Sequence, residues 1–335
     1  LLQSHIKPSL LFLLSFVFVI LVGSGLLMLP NATVHGIHFV DALFISTTSV
    51  CVTGLTTVDV ATTFTHTGHI IIMFLIQIGG IGVMTFTSFF ALSFMGHSSF
   101  TSKLVLKDML NEDRVNGLFR VILNILFVTL FIEGVGAYLI YLDIKGGLPG
   151  GTQEEVFYAV FHAVSAFCNA GFDLMGTPDM PFVSLTAYRA DPVINLTVSA
   201  LIVVGGVGFL TWDDVRTNRL CFHRYRLQSK VILAATALLI LLPTLYFFCF
   251  EFKGSTLRER LLLSLFQSVT PRTAGFNTAD YTSLSSSGRG LTILLMFIGG
   301  SPGSTAGGIK TTTAAVLVAN AFAVFRRQKS PEMFG

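Results

Sequence analysis

The sequence predicts an all-α integral membrane protein built from a repeated unit of helix, short re-entrant helix, loop and helix. Three observations lead to this fold class. Hydrophobic residues make up 52% of the 335 residues and charged residues only 12%, whereas soluble domains carry about 25% charged residues. Lys and Arg are absent between Lys7 and Lys103, so apolar stretches of that region are long enough to cross a bilayer. Finally, three short segments of the chain end alike.

Each predicted unit begins with a long apolar helix, continues with a short helix, and returns through a second long helix. We predict helices over 8–29, 39–50 and 69–95 in the first unit, over 118–142, 153–167 and 192–211 in the second, and over 229–250, 256–269 and 290–323 in the third. A spanning helix needs roughly 20 apolar residues, and the middle helix of each unit is shorter than that. The unit boundaries are therefore placed at 1–100, 101–228 and 229–335, the third with a broken return helix.

The basic residues indicate the orientation of the chain. They cluster near 96–120, near 212–230 and at both ends. Basic loops remain on the cytoplasmic side, so each unit is expected to enter and leave the membrane from the cytoplasm. Because these basic runs adjoin predicted spans, no nucleic acid is expected as a partner. The four cysteines show no metal-ligand spacing, and no disulfide framework is expected.

The three similar segments follow the short helices, and each has a small or polar residue, a glycine and a large apolar residue. Backbone carbonyls from several loops around an axis can replace the water shell of a potassium ion, and glycine permits the backbone angles that this requires. The short helix before each loop directs the negative end of its dipole at the ion. One such segment would be an ordinary turn, but three at matching positions predict a potassium filter. The predicted filter residues are Cys51, Val52, Thr53, Gly54, Cys168, Asn169, Ala170, Gly171, Arg272, Thr273, Ala274 and Gly275.

Glycine clusters begin at Gly79, Gly205 and Gly299 in the three return helices. The first two are compatible with close helix packing, but the third runs on through a proline and further glycines and cannot stay a regular helix. Irregular backbone at membrane depth is tolerated where protein shields it or where it lines a water-filled cavity. We therefore predict an irregular loop beside the conduction path. Its residues are Gly299, Gly300, Ser301, Pro302, Gly303, Ser304, Thr305, Ala306, Gly307 and Gly308, with Lys310 beside them. For that lysine, a gating or barrier role competes with a side chain that extends to the cytoplasmic interface.

Five polar residues are interpreted individually. Arg272 precedes the third filter glycine, and its side chain is expected to turn away from the axis and pair with a carboxylate. Asp173 and Asp280 follow filter loops, where they either draw cations to the mouth or are solvated loop residues. Glu133 either pairs with another unit or lies near the outer interface. His162 has no partner at metal-ligand spacing and is expected to be a packed core residue.

These motifs resemble the Trk/Ktr/HKT superfamily of cation transporters, and most of all its KtrB-type bacterial subunits. The resemblance covers essentially the whole chain and rests on Val52–Leu55, Asn169–Phe172, Thr273–Phe276 and Gly299–Gly308. It implies four units around a pseudo-fourfold pore and a potassium preference that accompanies Gly54. It also implies that the irregular loop Gly299–Gly308 is a gate loop, which lies below the filter and obstructs the path when closed. It also implies a homodimer in the lipid bilayer, controlled by a cytosolic nucleotide-binding regulatory ring (KtrA-like). Three units are visible, and the fourth is expected to be missing from this chain, which we expect to be part of a longer protein.

The expected function is potassium uptake across the cell membrane through a channel-like pore, with potassium both transported and bound in the filter. The chain would be a multi-pass protein of a bacterial inner or plasma membrane. No catalytic constellation is visible, so an enzyme is not expected. The alternative is the potassium-binding subunit of an ATP-driven pump, which shares the four-unit plan but works with an ATPase chain.

Overall fold

The computed structural model describes residues 8–95, 114–148, 150–219 and 221–327. These residues form twelve α-helices and three short 3-10 helices. Three of the helices are long and apolar enough to cross a membrane, within His66–Thr85, Ile122–Ile144 and Leu227–Phe250, and a bent helix pair adds a fourth candidate. The all-α class with apolar helices is confirmed, while the arrangement of repeated units around a pore and the unit boundaries stay predictions.

The first segment contains α1 (Pro8–Leu27), α2 (Phe39–Val50), α3 (Val60–Thr63) and α4 (His66–Met95). The turn α3 begins where the Asp59 carboxylate accepts a hydrogen bond from the Thr62 backbone N–H, which satisfies one of the free donors of a helix start. Most of the predicted cytoplasmic loop at 96–120 lies outside the described residues.

The second segment contains α5 (Arg114–Ile144), α6 (Gly151–Phe167), α7 (Pro192–Val207) and α8 (Phe209–Asn218). Pro192 occupies the first turn of α7, and Asp191 caps it, a favourable arrangement for a helix start. The prediction of one continuous helix over 192–211 is wrong. The chain breaks at Gly208, whose φ is 87°, and α8 leaves α7 at an angle of 96°. Part of the predicted loop over 212–230 is therefore helical.

The third segment contains α9 (Leu227–Phe250), α10 (Leu257–Val269), α11 (Ser286–Phe297) and α12 (Thr311–Phe325). The hydroxyl groups of Thr256 and Ser285 cap α10 and α11 by accepting backbone N–H bonds. The predicted return helix over 290–323 consists of α11 and α12 with non-helical residues 298–310 between them.

The three short helices form the centre of the packed core. Helix α2 packs against α1 and α4, α6 against α5 and α7, and α10 against α9 and α7. Phe161, Phe167 and Phe266 from these short helices are almost fully buried. In contrast, Phe127 of α5 is 71% exposed and Leu241 of α9 is 67% exposed, as is suitable for side chains that contact lipid. The C-terminal halves of the short helices are thus buried in the core, whereas their first turns are partly exposed.

Candidate ion-coordination site

The loops that follow α2, α6 and α10 share an unusual backbone pattern. The residue two positions before each predicted filter glycine has a positive φ, namely 53° at Val52, 58° at Asn169 and 69° at Thr273. The glycines also have positive φ, 80° at Gly54, 71° at Gly171 and 94° at Gly275, whereas the residues between them do not. A positive φ is uncommon outside glycine. A chain whose φ alternates in sign can present successive carbonyls on one side, which an ordinary strand cannot do.

The three glycines lie next to one another. A Cβ atom added to Gly54 would collide with the carbonyl oxygen of Ala170, and one added to Gly171 would collide with that of Ala274. Cβ atoms built on Gly54 and on Gly275 would both lie 3.5 Å from Gly171 Cα. The second loop therefore lies between the first and the third, and the approaches to the carbonyl oxygens of Ala170 and Ala274 depend on the absence of a side chain at Gly54 and Gly171.

All three glycines line one cavity of about 120 Å³. Asp59 and Asp173 also line it and make it acidic. Asp59 is oriented by the Phe182 N–H, which donates at 2.9 Å, and Asp173 by the Met175 N–H at 3.1 Å. Burial raises the pKa of Asp173 to about 6, and the negative charge of Asp59 acts in the same direction. Asp280 is not among the residues that line this cavity, and its carboxylate accepts bonds from the backbone N–H and the hydroxyl of Thr282.

A hydroxyl group at the end of each short helix supports the loop that follows. Ser165 donates to the Phe172 carbonyl at 2.7 Å, and Thr270 donates to the Phe276 carbonyl at 2.6 Å. In the first segment the Thr48 hydroxyl accepts from the Leu55 N–H at 3.0 Å. Each bond involves the residue just after the glycine, so each hydroxyl links the end of its short helix to the far end of the loop. Sequence analysis missed these residues, although a Ser or Thr recurs five or six positions before each filter glycine.

Cys168 begins the second loop and contacts the first segment. Its thiol lies 3.8 Å from Oε1 of Gln77 and 3.9 Å from Oε1 of Glu133, and Gln77 donates to Glu133 at 3.0 Å. Glu133 thus lies between two segments, as one of the two interpretations of this residue expected. His162 is buried, and its two ring nitrogens contact the Tyr158 carbonyl and the Leu174 N–H, so it is a packed core residue.

Within the described part of the chain Arg272 pairs with no carboxylate, contrary to the expectation. Its guanidinium is buried and donates instead to the carbonyl of Gly299 at 3.3 Å. The carbonyl of Gly299 lies at the start of an irregular segment and is free to accept a hydrogen bond. It therefore serves as the acceptor that we expected to be a carboxylate. The residue therefore connects the third loop with the predicted gate loop.

The predicted gate loop folds back on itself. Gly299 N–H donates to Ile309 O at 3.0 Å, and Thr311 N–H donates to Gly300 O at 3.0 Å, so the chain continues into α12 close to where it left α11. Lys310 is half-buried, and its ammonium group donates to Ala306 O at 2.6 Å. The Lys310 side chain is therefore turned back onto the loop.

The predicted gate loop also contacts the second of the three glycine loops. The Thr305 hydroxyl donates to Phe167 O at 3.1 Å and lies 3.4 Å from the side-chain amide of Asn169. Residues 167 and 169 precede Gly171, whereas the acidic cavity includes Gly171 and the two residues after it. The gate loop and the acidic cavity are thus at opposite ends of the second loop.

The family model for TrkH, described as cation transport protein, matches residues 14–334. The chain belongs to this TrkH family. Its similarity to curated relatives covers almost the whole chain. It is 40% identical to the potassium/sodium uptake protein NtpJ of Enterococcus hirae, covering 99% of this chain and 73% of that protein. It is 36% identical to the Ktr system potassium uptake protein B of Bacillus subtilis, covering 98% of this chain and 73% of that protein.

A solved structure gives the same fold for this TrkH-family chain. The crystal structure of the potassium transporter TrkH from Vibrio parahaemolyticus matches with a TM-score of 0.71 at 20% sequence identity. The match covers 97% of this chain and 64% of that one, so the chain spans somewhat less than two thirds of the solved protein. The family membership and the apolar helices show that the chain belongs to a transporter of the cell membrane.

Proposed function

We propose that this TrkH-family chain conducts potassium ions through a filter formed by the backbone carbonyls of its three glycine loops. The observation that carries the proposal is the recurrence of alternating φ signs in three loops whose glycines are in contact. Carbonyl oxygens can replace the hydration shell of potassium. A turn that served only to reverse the chain would not require the same strained backbone three times.

The path of the ion follows from the arrangement of charges. Cations collect in the cavity that contains Asp59 and Asp173, since a cleft lined by one sign of charge raises the local concentration of the opposite ion. The ion then loses water and is held by carbonyl oxygens of residues 51–53, 168–170 and 272–274. The short helices end at these loops, and the negative ends of their dipoles stabilise the positive charge. The ion moves down its electrochemical gradient, and no covalent step is needed.

The segment between α11 and α12 serves as the gate in this proposal. It contacts the second loop through Thr305 and the third through Arg272, at the end away from the acidic cavity. A relative is named as a component of a Ktr system, which supports control by a separate cytosolic subunit, proposed to be a nucleotide-binding ring. The protein is further proposed to be a homodimer in which each subunit has its own pore.

The proposal is tested with the full-length protein in liposomes that hold a potassium gradient. Rubidium uptake that follows the gradient without ATP supports a pore, whereas uptake that requires an added ATPase chain supports the pump subunit instead. A second measurement compares Gly54→Ser with Gly25→Ala, because a Cβ at Gly25 has open space around it. Gly54→Ser is expected to lose discrimination against sodium while the control keeps it. Equal discrimination in the wild type and Gly54→Ser would contradict the filter assignment.

A further inference from the structure

The bend between α7 and α8 leaves four backbone carbonyls without partners inside the helix. The last four carbonyls of any α-helix have no N–H group four residues ahead of them, and here they belong to Val204, Gly205, Gly206 and Val207. In a membrane such groups must be satisfied by other protein groups, because the bilayer core offers no water. The partners of these four carbonyls therefore decide whether the bend is stable.

The gate loop supplies the partners of three of them. Ser301 donates its N–H to Gly206 O at 2.9 Å, and its hydroxyl lies within bonding distance of Gly206 O and Val207 O. Thr305 N–H donates to Gly205 O at 3.4 Å. The remaining carbonyl, that of Val204, accepts from the indole N–H of Trp212 at 3.1 Å.

The contact is reciprocal at the start of α8. The first N–H groups of a helix also lack partners, and Phe209 N–H donates to Gly303 O at 3.0 Å. Gly208 stands at the bend with a φ of 87°, and a Cβ there would lie 2.8 Å from Ser301 Oγ and 2.9 Å from Pro302 O. The bend and the gate loop thus fit together only while this position has no side chain.

If α7 and α8 were one continuous helix, the same carbonyls would be satisfied in another way. The N–H groups of residues 208–211 would then bond to the carbonyls of residues 204–207, four positions earlier. The Thr211 hydroxyl is buried and has no hydrogen-bond partner among the described residues in the bent form. In a continuous helix it would come within reach of the carbonyl four residues before it. The carbonyls of residues 204–207 therefore have partners both in the bent form with the loop seated and in the continuous form without it, whereas a bent form without the loop leaves three of them unpaired.

We propose that the gate loop leaves its seat only as α7 and α8 join into one helix, so that Ser301 is the positioning residue that links the two events. The proposal rests on the proposed function, since it assigns the same loop as the gate. It also identifies where a cytosolic partner can act. Asp214 of α8 accepts bonds from the Arg226 N–H and the Ser229 hydroxyl at the start of α9. A partner that moves the basic loop between these helices would therefore also move α8 and its junction with α7 at Gly208.

The first test measures the bend directly in the full-length protein. Spin labels are placed at Leu196 in α7 and Thr217 in α8, which are both exposed. With a rise of 1.5 Å per residue, the labelled backbone positions are about 21 Å apart in the bent form and about 32 Å apart in a continuous helix. Gly208→Ala is expected to shift the population to the longer distance, because alanine disfavours positive φ and favours a helix. Gly134→Ala is the matched control, since its Cβ would have open space.

The second test measures gradient-driven rubidium flux without any regulatory partner. Ser301→Ala is expected to raise this basal flux about tenfold, the change that a lost buried hydrogen bond typically produces, and Gly208→Ala to raise it as well. Ser199→Ala is the control, because that α7 hydroxyl is buried and has no hydrogen-bond partner in the part of the chain that the structure describes. If neither the wild type nor either variant carries flux, the proposed function itself is wrong. If any of them carries flux, the inference is overturned when both variants match their controls, or when flux rises while the label distance stays near 21 Å.

Discussion

Replacing Ser165 by alanine tests whether the hydroxyl at the end of a short helix holds the filter loop in place. The change removes the 2.7 Å bond from Ser165 to the carbonyl of Phe172, and both groups are buried. A buried carbonyl left without its partner costs about 1–3 kcal/mol. If all of this free energy acted to distort the second loop, the selectivity between rubidium and sodium would change by a factor of roughly 5 to 150. We expect a value near the lower end, because the N–H bond from Ala170 to the Ser165 carbonyl remains.

The assay is rubidium uptake into liposomes in competition with sodium, using the full-length protein. Ser165→Thr keeps the hydroxyl, and threonine occupies the corresponding positions of the other two segments as Thr48 and Thr270, so this variant is expected to retain selectivity. Ser199→Ala removes an unpaired buried hydroxyl and serves as the control. Should Ser165→Ala fold and discriminate as the wild type does, the reasoning that hydroxyl bonds set the loop geometry would be refuted.

Three further predictions concern other parts of the path. Gly171→Ala is expected to reduce rubidium flux at least tenfold, since its Cβ would collide with Ala274 O. The free-energy cost of such a clash exceeds about 1.4 kcal/mol, which corresponds to a factor of ten. Normal flux in this variant would exclude a close packing of the loops. Because burial raises the pKa of Asp173 to about 6, protonation removes its negative charge as the external pH falls below that value. Uptake at low external potassium should therefore decline from pH 7 to pH 5 in the wild type but not in Asp173→Asn, and parallel pH profiles would disprove this role. Lys310→Ala removes the bond to Ala306 O and is expected to raise basal flux, while Lys310→Arg should not; unaltered flux in the alanine variant would favour a lysine that serves only the membrane interface.

The helical fold was predictable because hydrophobic runs decide where spans can form. The short helices α2 and α6 end at Val50 and Phe167, which are the positions that the sequence indicated. The pattern of small residue, glycine and large apolar residue also located three loops that the structure brings together. These features depend on local sequence and on the length of apolar segments, so one sequence is enough to find them.

The bend at Gly208 was not predictable from its own sequence. Gly79-Gly80-Ile81-Gly82 and Gly205-Gly206-Val207-Gly208 follow the same pattern, yet the first lies within the continuous helix α4 and the second is followed by a break. The difference comes from tertiary contacts, because Ser301 and Thr305 of the proposed gate loop donate hydrogen bonds to carbonyls that the break leaves without helical partners. The partner of Arg272 was missed for a similar reason, since a carbonyl freed by irregular backbone cannot be recognised in a sequence.

The central claim is that main-chain oxygens of the three loops bind the transported ion. Anomalous X-ray scattering from crystals of the full-length protein grown with rubidium tests this most directly. We expect anomalous density for rubidium in direct contact with carbonyl oxygens among residues 51–53, 168–170 and 272–274, and weaker density in the Gly54→Ser variant. Rubidium bound elsewhere in the transmembrane region, with none beside these carbonyls, would contradict the account.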